Sequence, residues 1–389
     1  MKNEIKNKKI AFYIKSEVQF FSLEPLLKEL KRKGYNFKIL IPSYEWEKDY
    51  KAMTEKIKEL VNGGGYKTGI VNGILKEKFD LYITAYRGPE VDAKCYLKYE
   101  YGTLNVKPIS TDKPEVMAGF HGFLCQSTVT ADYFAAYGRT FLVDNLKFLD
   151  KKRTKNRGSK KKVLFAPTYN DAGDATDLVE IVKNLKRKYY VIIKGHHGTT
   201  YRSDKKAQKD VLMDMADEYY GPEKNIADVM MGVDVCLTGN SSVIGEALYA
   251  EVPCAVFAYD LDEFCLPGMH TTQYKMVRDG MLPYTGDVKK IEKIIEAALT
   301  REYKKKQRKL GREILPLDRR NGVEGYLEVI DYFLDYENVE DYVGLHNYKN
   351  KIMQEEKEEL DKYKVMVDSY KNRKLYKLAG KVYKMMGRP

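Results

Sequence analysis

The chain has 389 residues, with 68 Lys or Arg against 56 Asp or Glu and a formal net charge of +12. That length supports two domains with separate cores, and the charge suits a polyanion or an anionic membrane surface as partner. No run of about 18 apolar residues exists to span a bilayer, and the five cysteines (Cys95, Cys125, Cys236, Cys254 and Cys265) have no paired spacing, reading as reduced thiols of a cytoplasmic protein.

Residues 1–9 lack the apolar core of a signal peptide. Residues 9–14 read as a short buried strand, and residues 20–33 as a helix with Phe21, Leu26, Leu27 and Leu30 on its apolar face. Gly34 stops that helix, and residues 37–42 form the next strand, so the chain opens as β-α-β suited to a parallel sheet. Residues 51–60 and 71–78 read as further helices and residues 80–85 as a third strand. Asn62-Gly63-Gly64-Gly65-Tyr66 is glycine-rich like a phosphate loop, yet lacks the preceding strand and the following Lys-Ser/Thr, and reads as a connection.

Residues 116–123 read as a short strand delivering a glycine-flanked histidine, His121, to a strand end, where α/β ligand sites collect. A histidine there is either a general base or a loop residue bonded to backbone. A strand at 123–127 ending in Ser127 and a helix at 130–137 follow. Residues 150–162 carry eight basic residues and no apolar one, which predicts an exposed linker between domains. No aromatic residue interleaves the run and no nucleic-acid module flanks it, so nucleic acid is not an expected partner.

Residues 162–169 read as a strand ending in a Pro-Thr turn, and residues 177–186 as a helix. The strand after it ends in Lys194-Gly195-His196-His197, whose basic groups suit an anion. Adjacent histidines are also metal-ligand candidates, but no cysteine or carboxylate stands at a ligand interval, and no metal is expected. The central stretch is residues 233–260. It reads as a buried strand to Thr238, a small-residue turn Gly239-Asn240-Ser241-Ser242, a helix from Val243 and a second strand at 254–258. Such a turn suits a phosphate, or is a helix cap with no ligand. Helices at 288–300, from 301 onward and at 323–336 complete this half.

From Ser369 to the end there are seven Lys or Arg and no acid. Leu375, Leu378, Ala379, Val382 and Met386 recur at helical spacing, with Lys374, Lys377, Lys381, Lys384 and Arg388 on other faces. A basic amphipathic helix of this kind suits an anionic membrane surface, the alternative being a helix folded back on the body or onto a partner. Residues 354–364, rich in Glu and Lys, read as a solvated arm carrying it.

Several of these segments, in this order, resemble the CDP-glycerol glycerophosphotransferase family, the teichoic acid primases and polymerases of GT-B fold. Phe120-His121-Gly122 resembles its Trp-His-Gly motif, and Ala166-Pro167-Thr168-Tyr169 its Ala-Pro-Thr-Trp-Arg strand end. Ile193-Lys194-Gly195-His196-His197 is similar to its Lys-Leu-His-Pro segment, and Ala227-Asp228-Val229 through Thr238-Gly239-Asn240-Ser241-Ser242 to its Asp-Ile through Thr-Asp-Tyr-Ser-Ser segment. Two departures bear on the ligand. Gly239-Asn240 replaces Asp-Tyr, and Gly245-Glu246-Ala247 is closer to UDP-sugar glycosyltransferases and UDP-N-acetylglucosamine 2-epimerases. Val143-Asp144-Asn145 also stands where the family has Pro-Arg-Asn-Asp.

The resemblance implies two Rossmann-like domains facing across a cleft, with an acceptor domain at 1–150, a linker at 151–162, a donor domain at 163–335 and a helical tail at 336–389. It implies a cytoplasmic transferase, peripheral on the inner face of the membrane, that moves a polyol phosphate from CDP-glycerol or CDP-ribitol to a lipid-linked cell-wall or capsule polymer. A UDP-sugar glycosyltransferase or epimerase, and an inactive polyanion-binding scaffold, are the alternatives. Ser241 and Ser242 would hold the donor phosphates with Lys194, His196, His197 and Thr168. Glu246 would bond a donor hydroxyl and His121 would deprotonate the acceptor.

Overall fold

The computed structural model describes residues 2–335 except 44–47, 72–74, 86–90, 105–113, 118, 169–174, 260, 262–270 and 316–320. The expected membrane helix with Lys374, Lys377, Lys381, Lys384 and Arg388, the arm at 354–364, Tyr169 and Cys265 lie outside the described residues.

The first half contains α1 (Lys2–Asn7), β1 (Ile10–Tyr13), α2 (Glu17–Lys33), β2 (Phe37–Pro42), α3 (Lys48–Gly63), β3 (Thr68–Val71), β4 (Leu75–Thr84), β5 (Val91–Tyr99), α4 (Pro114–Met117), β6 (Gly122–Cys125), α5 (Thr128–Phe134) and β7 (Arg139–Leu142). Its seven strands are all parallel in the order β3-β2-β1-β4-β5-β6-β7. The apolar spacing of α2 buries Phe20, Leu23, Leu26, Leu27 and Leu30 against this sheet. Gly34 then ends the helix in the left-handed region (φ 79°), its N–H reaching Leu30 and Lys31 carbonyls, a conformation that a Cβ would strain.

The second half contains β8 (Lys162–Ala166), α6 (Ala175–Lys186), β9 (Tyr190–Lys194), α7 (His197–Thr200), α8 (Lys206–Met215), β10 (Glu218–Tyr220), α9 (Ile226–Met230), β11 (Val235–Thr238), α10 (Val243–Tyr249), β12 (Cys254–Phe257), α11 (Thr272–Arg278), β13 (Tyr284–Thr285), α12 (Ile291–Leu299) and α13 (Arg301–Ile314). Its parallel order, β10-β9-β8-β11-β12-β13, is the doubly wound one with a switch point between β8 and β11. Strand residues alternate between two cores. Leu164, Cys236 and Val256 enter the one beneath α9, α10 and α13, while Val163, Leu237 and Phe257 enter the one beneath α6 and α12.

Four expectations are corrected here. The expected helix at 71–78 is corrected for its described residues: the Lys-Glu-Lys run has helical propensity, but β4 takes residues from Leu75 onward as a strand because pairing with β5 on one side, and further along with β1 on the other, outweighs it. Residues 116–123 form no single strand, since α4 ends at Met117 and β6 begins only at Gly122. The segment before β8 is exposed but not a free linker. Thr154 N–H donates to the Met231 carbonyl, Arg153 to the Glu251 and Val233 carbonyls, and Asn156 to Asp234, which lays it along the second domain.

The fourth correction concerns the domain boundary. A last helix, α14 (Gly322–Leu334), belongs to the first domain rather than the second. Tyr326, Leu327, Ile330, Phe333 and Leu334 lie in the core built on β1, β2 and α2. Tyr35 bonds Asp331, Lys33 pairs with Glu324, and Arg139 donates to Tyr332. The apolar stripe of α14 finds its partner surface across the molecule, where sequence adjacency gives no hint of it.

Candidate functional site

Both sheets turn their carboxyl ends toward each other, and the contacts between the domains run along these edges. From the first domain come Glu17 after β1, Thr103 and Leu104 after β5, and Asp144 and Lys147 after β7. From the second come Tyr201 after β9 and Glu246 and Tyr249 after β11. Tyr249 donates to the Asp144 carboxylate, Tyr201 to the Glu17 carboxylate, and the Gln273 amide to the Leu104 carbonyl at 2.8 Å. The Lys147 ammonium pairs with the Glu246 carboxylate and also donates to the Tyr101 carbonyl at 2.8 Å.

The expected donor residues of the second domain gather at neighbouring strand ends. Lys194 closes β9, Thr168 follows β8, and Ser241 and Ser242 follow β11, three adjacent strands about 5 Å apart in the sheet. Thr238 Oγ donates to the Ala166 carbonyl at 2.8 Å and locks β11 to β8 at the switch point. Ser241 accepts Val243 N–H at 3.3 Å, so its hydroxyl already caps the start of α10 in this state. Both serines are half-buried, as are Thr168 and His196. His196 Nδ1 accepts Gly198 N–H at 3.0 Å, which fixes the ring beside a cavity of about 30 Å³ shared with Thr168, Thr200 and Tyr219. His197 begins α7.

Lys194 is buried and donates to the Gly221 carbonyl at 2.7 Å. Burial pushes its ammonium down to about 8, against which the carboxylates of Glu223, Glu246 and Glu17 pull upward. Two of those, Glu246 and Glu223, belong to its own domain, while Glu17 comes from the other. Lys194 therefore sits where the two domains' charges meet.

His121, expected as the base, lies apart from these residues. It precedes β6, at the amino end of a strand whose four residues advance about 13 Å toward the cleft edge. Its N–H donates to the Tyr96 carbonyl at 2.9 Å and its Nδ1 accepts Tyr96 N–H at 3.0 Å, with the two rings stacked at 5.8 Å. The imidazole thus extends the β5–β6 ladder at the amino edge of the sheet.

Sequence reasoning missed Glu17, Glu100, Lys147, Tyr201 and Tyr249. Glu17 stands directly after the first strand and its Ser16 cap, a position for which the sheet's switch point between β1 and β4 gives a reason. Lys147 was visible as the cation following Val143-Asp144-Asn145. Lys98 and Glu100 alternate on one face at the end of β5 and form a second buried pair, with Lys98 lying 4.8 Å from the centre of the Phe134 ring.

Residues 144–309 match the family model described as CDP-Glycerol:Poly(glycerophosphate) glycerophosphotransferase. The match covers the switch-point crevice and the element carrying Lys147. No curated protein matches the chain in sequence. Among solved structures, the wall teichoic acid polymerase TagF is similar with a TM-score of 0.54 and 14% identity, covering 87% of this chain and 92% of that one. The S. aureus MnaA–UDP complex has a TM-score of 0.55 and 12% identity over 84% of this chain and 97% of its own. A Listeria monocytogenes protein described as a UDP-N-acetylglucosamine 2-epimerase gives 0.57 and 12%, covering 85% and 97%. These likenesses establish the GT-B arrangement of two facing doubly wound domains.

Proposed function

We propose that the protein transfers a polyol phosphate from CDP-glycerol or CDP-ribitol to a hydroxyl of a lipid-linked cell-wall or capsule polymer. The observation carrying this reading is the family match over residues 144–309, which coincides with the crevice formed by Thr168, Lys194, Ser241 and Ser242. In the reaction, the acceptor oxygen attacks the phosphorus bearing the polyol. The bond from that phosphorus to the bridging oxygen breaks, and CMP leaves with the electron pair. Lys194 and the two serine hydroxyls offset the charge on the diphosphate, and closure of the domains excludes water and aligns the reactants. Glu246 bonds a donor hydroxyl in exchange for part of its contact with Lys147. One TagF variant is described as soaked with CDPG, which supports the same donor class.

Association with the inner membrane face is part of the proposal and rests on the basic amphipathic pattern of residues 369–389. Among the described residues no helix is long and apolar enough to cross a membrane. A second reading, a UDP-sugar-dependent enzyme, is favoured by Gly245-Glu246-Ala247 at the start of α10. Incubation with CDP-glycerol, CDP-ribitol and UDP-sugars, with membrane extract as acceptor source, separates the two. CMP release supports the proposal, UDP release supports the second reading, and release of neither removes both.

A further inference from the structure

Glu17 is a buried carboxylate at the switch point of the first sheet. It opens α2 immediately after β1, is fully buried, and accepts the Tyr201 hydroxyl of the second domain on Oε1. Among the described residues its Oε2 has no hydrogen-bond partner. A buried carboxylate oxygen without a partner costs about 1–3 kcal/mol or more, so such an atom calls for a ligand. The Tyr201 hydroxyl reaches it from the second domain, so the carboxylate lies at the junction of the two domains.

We propose that Glu17 is the general base of the transfer and that its Oε2 receives the proton of the acceptor hydroxyl. This rests on the phosphotransferase reading above and names its acceptor side. The proton passes from the acceptor oxygen to Oε2 as that oxygen forms its bond to phosphorus, and the CMP–phosphorus bond breaks in the same displacement. Glu17 faces Tyr201 and, within electrostatic reach, Lys194 and Glu223 of the second domain; Lys56 and Tyr201 feel its charge in turn, and Glu59 acts on Tyr201. Lys194 would thus lie between the base and the donor phosphates, with its charge stabilising the carboxylate before transfer and the diphosphate during it. Burial raises the Glu17 carboxyl above its ordinary value, while the Tyr201 hydroxyl and the Lys194 charge hold it down. A base poised nearer neutrality abstracts a hydroxyl proton better than an ordinary carboxylate does.

The test compares Glu17→Gln, which is isosteric, and Tyr201→Phe with the wild type, measuring CDP-glycerol affinity by calorimetry and CMP release with acceptor across pH. Glu17→Gln is expected to keep donor affinity within threefold while losing turnover by about a hundredfold or more, in line with general-base contributions. The acidic limb of its kcat/KM profile should disappear. Tyr201→Phe is expected to move that limb to higher pH, because a hydrogen bond that stabilises the carboxylate is removed. Turnover of Glu17→Gln within threefold of wild type, or an acidic limb unchanged in both variants, overturns the proposal. A wild type that ignores CDP-glycerol but turns over a UDP-sugar overturns the donor reading alone, and the same two variants assayed on that sugar then decide Glu17.

Discussion

Lys147 of the first domain and Glu246 of the second form a buried ion pair across the closed cleft. Two charges taken from water together hold only while both are present, so removing one leaves the other stranded. Lys147→Met is therefore expected to lower stability by about 3 kcal/mol, and Lys147→Met with Glu246→Leu to recover most of it. Urea unfolding of the two variants beside the wild type checks this. If the single variant is as stable as the double, the pair is not buried in solution.

Lys194 supplies a pH dependence with a definite sign. Burial brings it to about 8, below the ordinary lysine value of 10.5, so the folded state disfavours the charged form. The contribution of this group to stability is present above pH 10.5 and is lost as pH falls through 8. Lys194→Met should consequently gain on the wild type as pH is lowered over that window, reaching about 1–3 kcal/mol near neutrality. A bound diphosphate reverses the preference by favouring the ammonium. Donor affinity should then weaken above pH 8 by up to about tenfold per pH unit, and calorimetry in buffers of different ionisation enthalpy should register proton uptake. Identical pH profiles for wild type and Lys194→Met would remove Lys194 from the donor site.

Gly245 is a point of close approach between the domains. A Cβ there would stand 2.8 Å from Leu104 Cγ and Thr103 Cβ, both on the other domain. Neither neighbour is a flexible side-chain end, so Gly245→Ala must push the domains apart, at a cost of about 1–3 kcal/mol to the closed form. Small-angle scattering should show an expanded particle, and transfer should fall further than donor affinity does. A scattering profile identical to wild type would show that the cleft adjusts without opening.

His121→Ala should weaken the first sheet while leaving the chemistry in place. Tyr96 N–H loses its acceptor and the ring stack is lost, which together cost about 2 kcal/mol. Donor affinity and turnover per folded molecule should match the wild type. A selective loss of turnover in a fully folded variant would return His121 to the reaction.

That histidine shows where sequence reading reaches its limit. The doubly wound class, the strands at 37–42 and 162–166 and the turn carrying Ser241 and Ser242 were legible because each is a local pattern: an apolar run, a break, a cap. The residues proposed to hold the donor, in the second domain, lie at strand ends that the same patterns delimit. His121 differs by a shift of register. The strand begins at Gly122 instead of ending there, and that one-segment displacement moves the side chain to the opposite edge of the sheet. The pairings of Glu17 and Lys147 were hidden for another reason, since their partners Tyr201 and Glu246 lie 184 and 99 residues away. No periodicity encodes a pairing at that separation. The same applies to α14, whose apolar stripe was plain but whose destination was not.

The destination of α14 also sets an order of events during synthesis. A ribosome releases the seven strands of the first sheet long before residues 322–334, yet Tyr326, Ile330 and Phe333 are part of that sheet's core. Until they emerge, the surface around Phe141 and Gly122 that Phe333 covers remains open to water. The later-made domain, complete by residue 315, can therefore close its core before the earlier-made one does, reversing the usual amino-to-carboxyl order of domain completion. Chains interrupted between residues 315 and 334 would carry a finished second domain beside an unfinished first one, and would rely on chaperones in the interval.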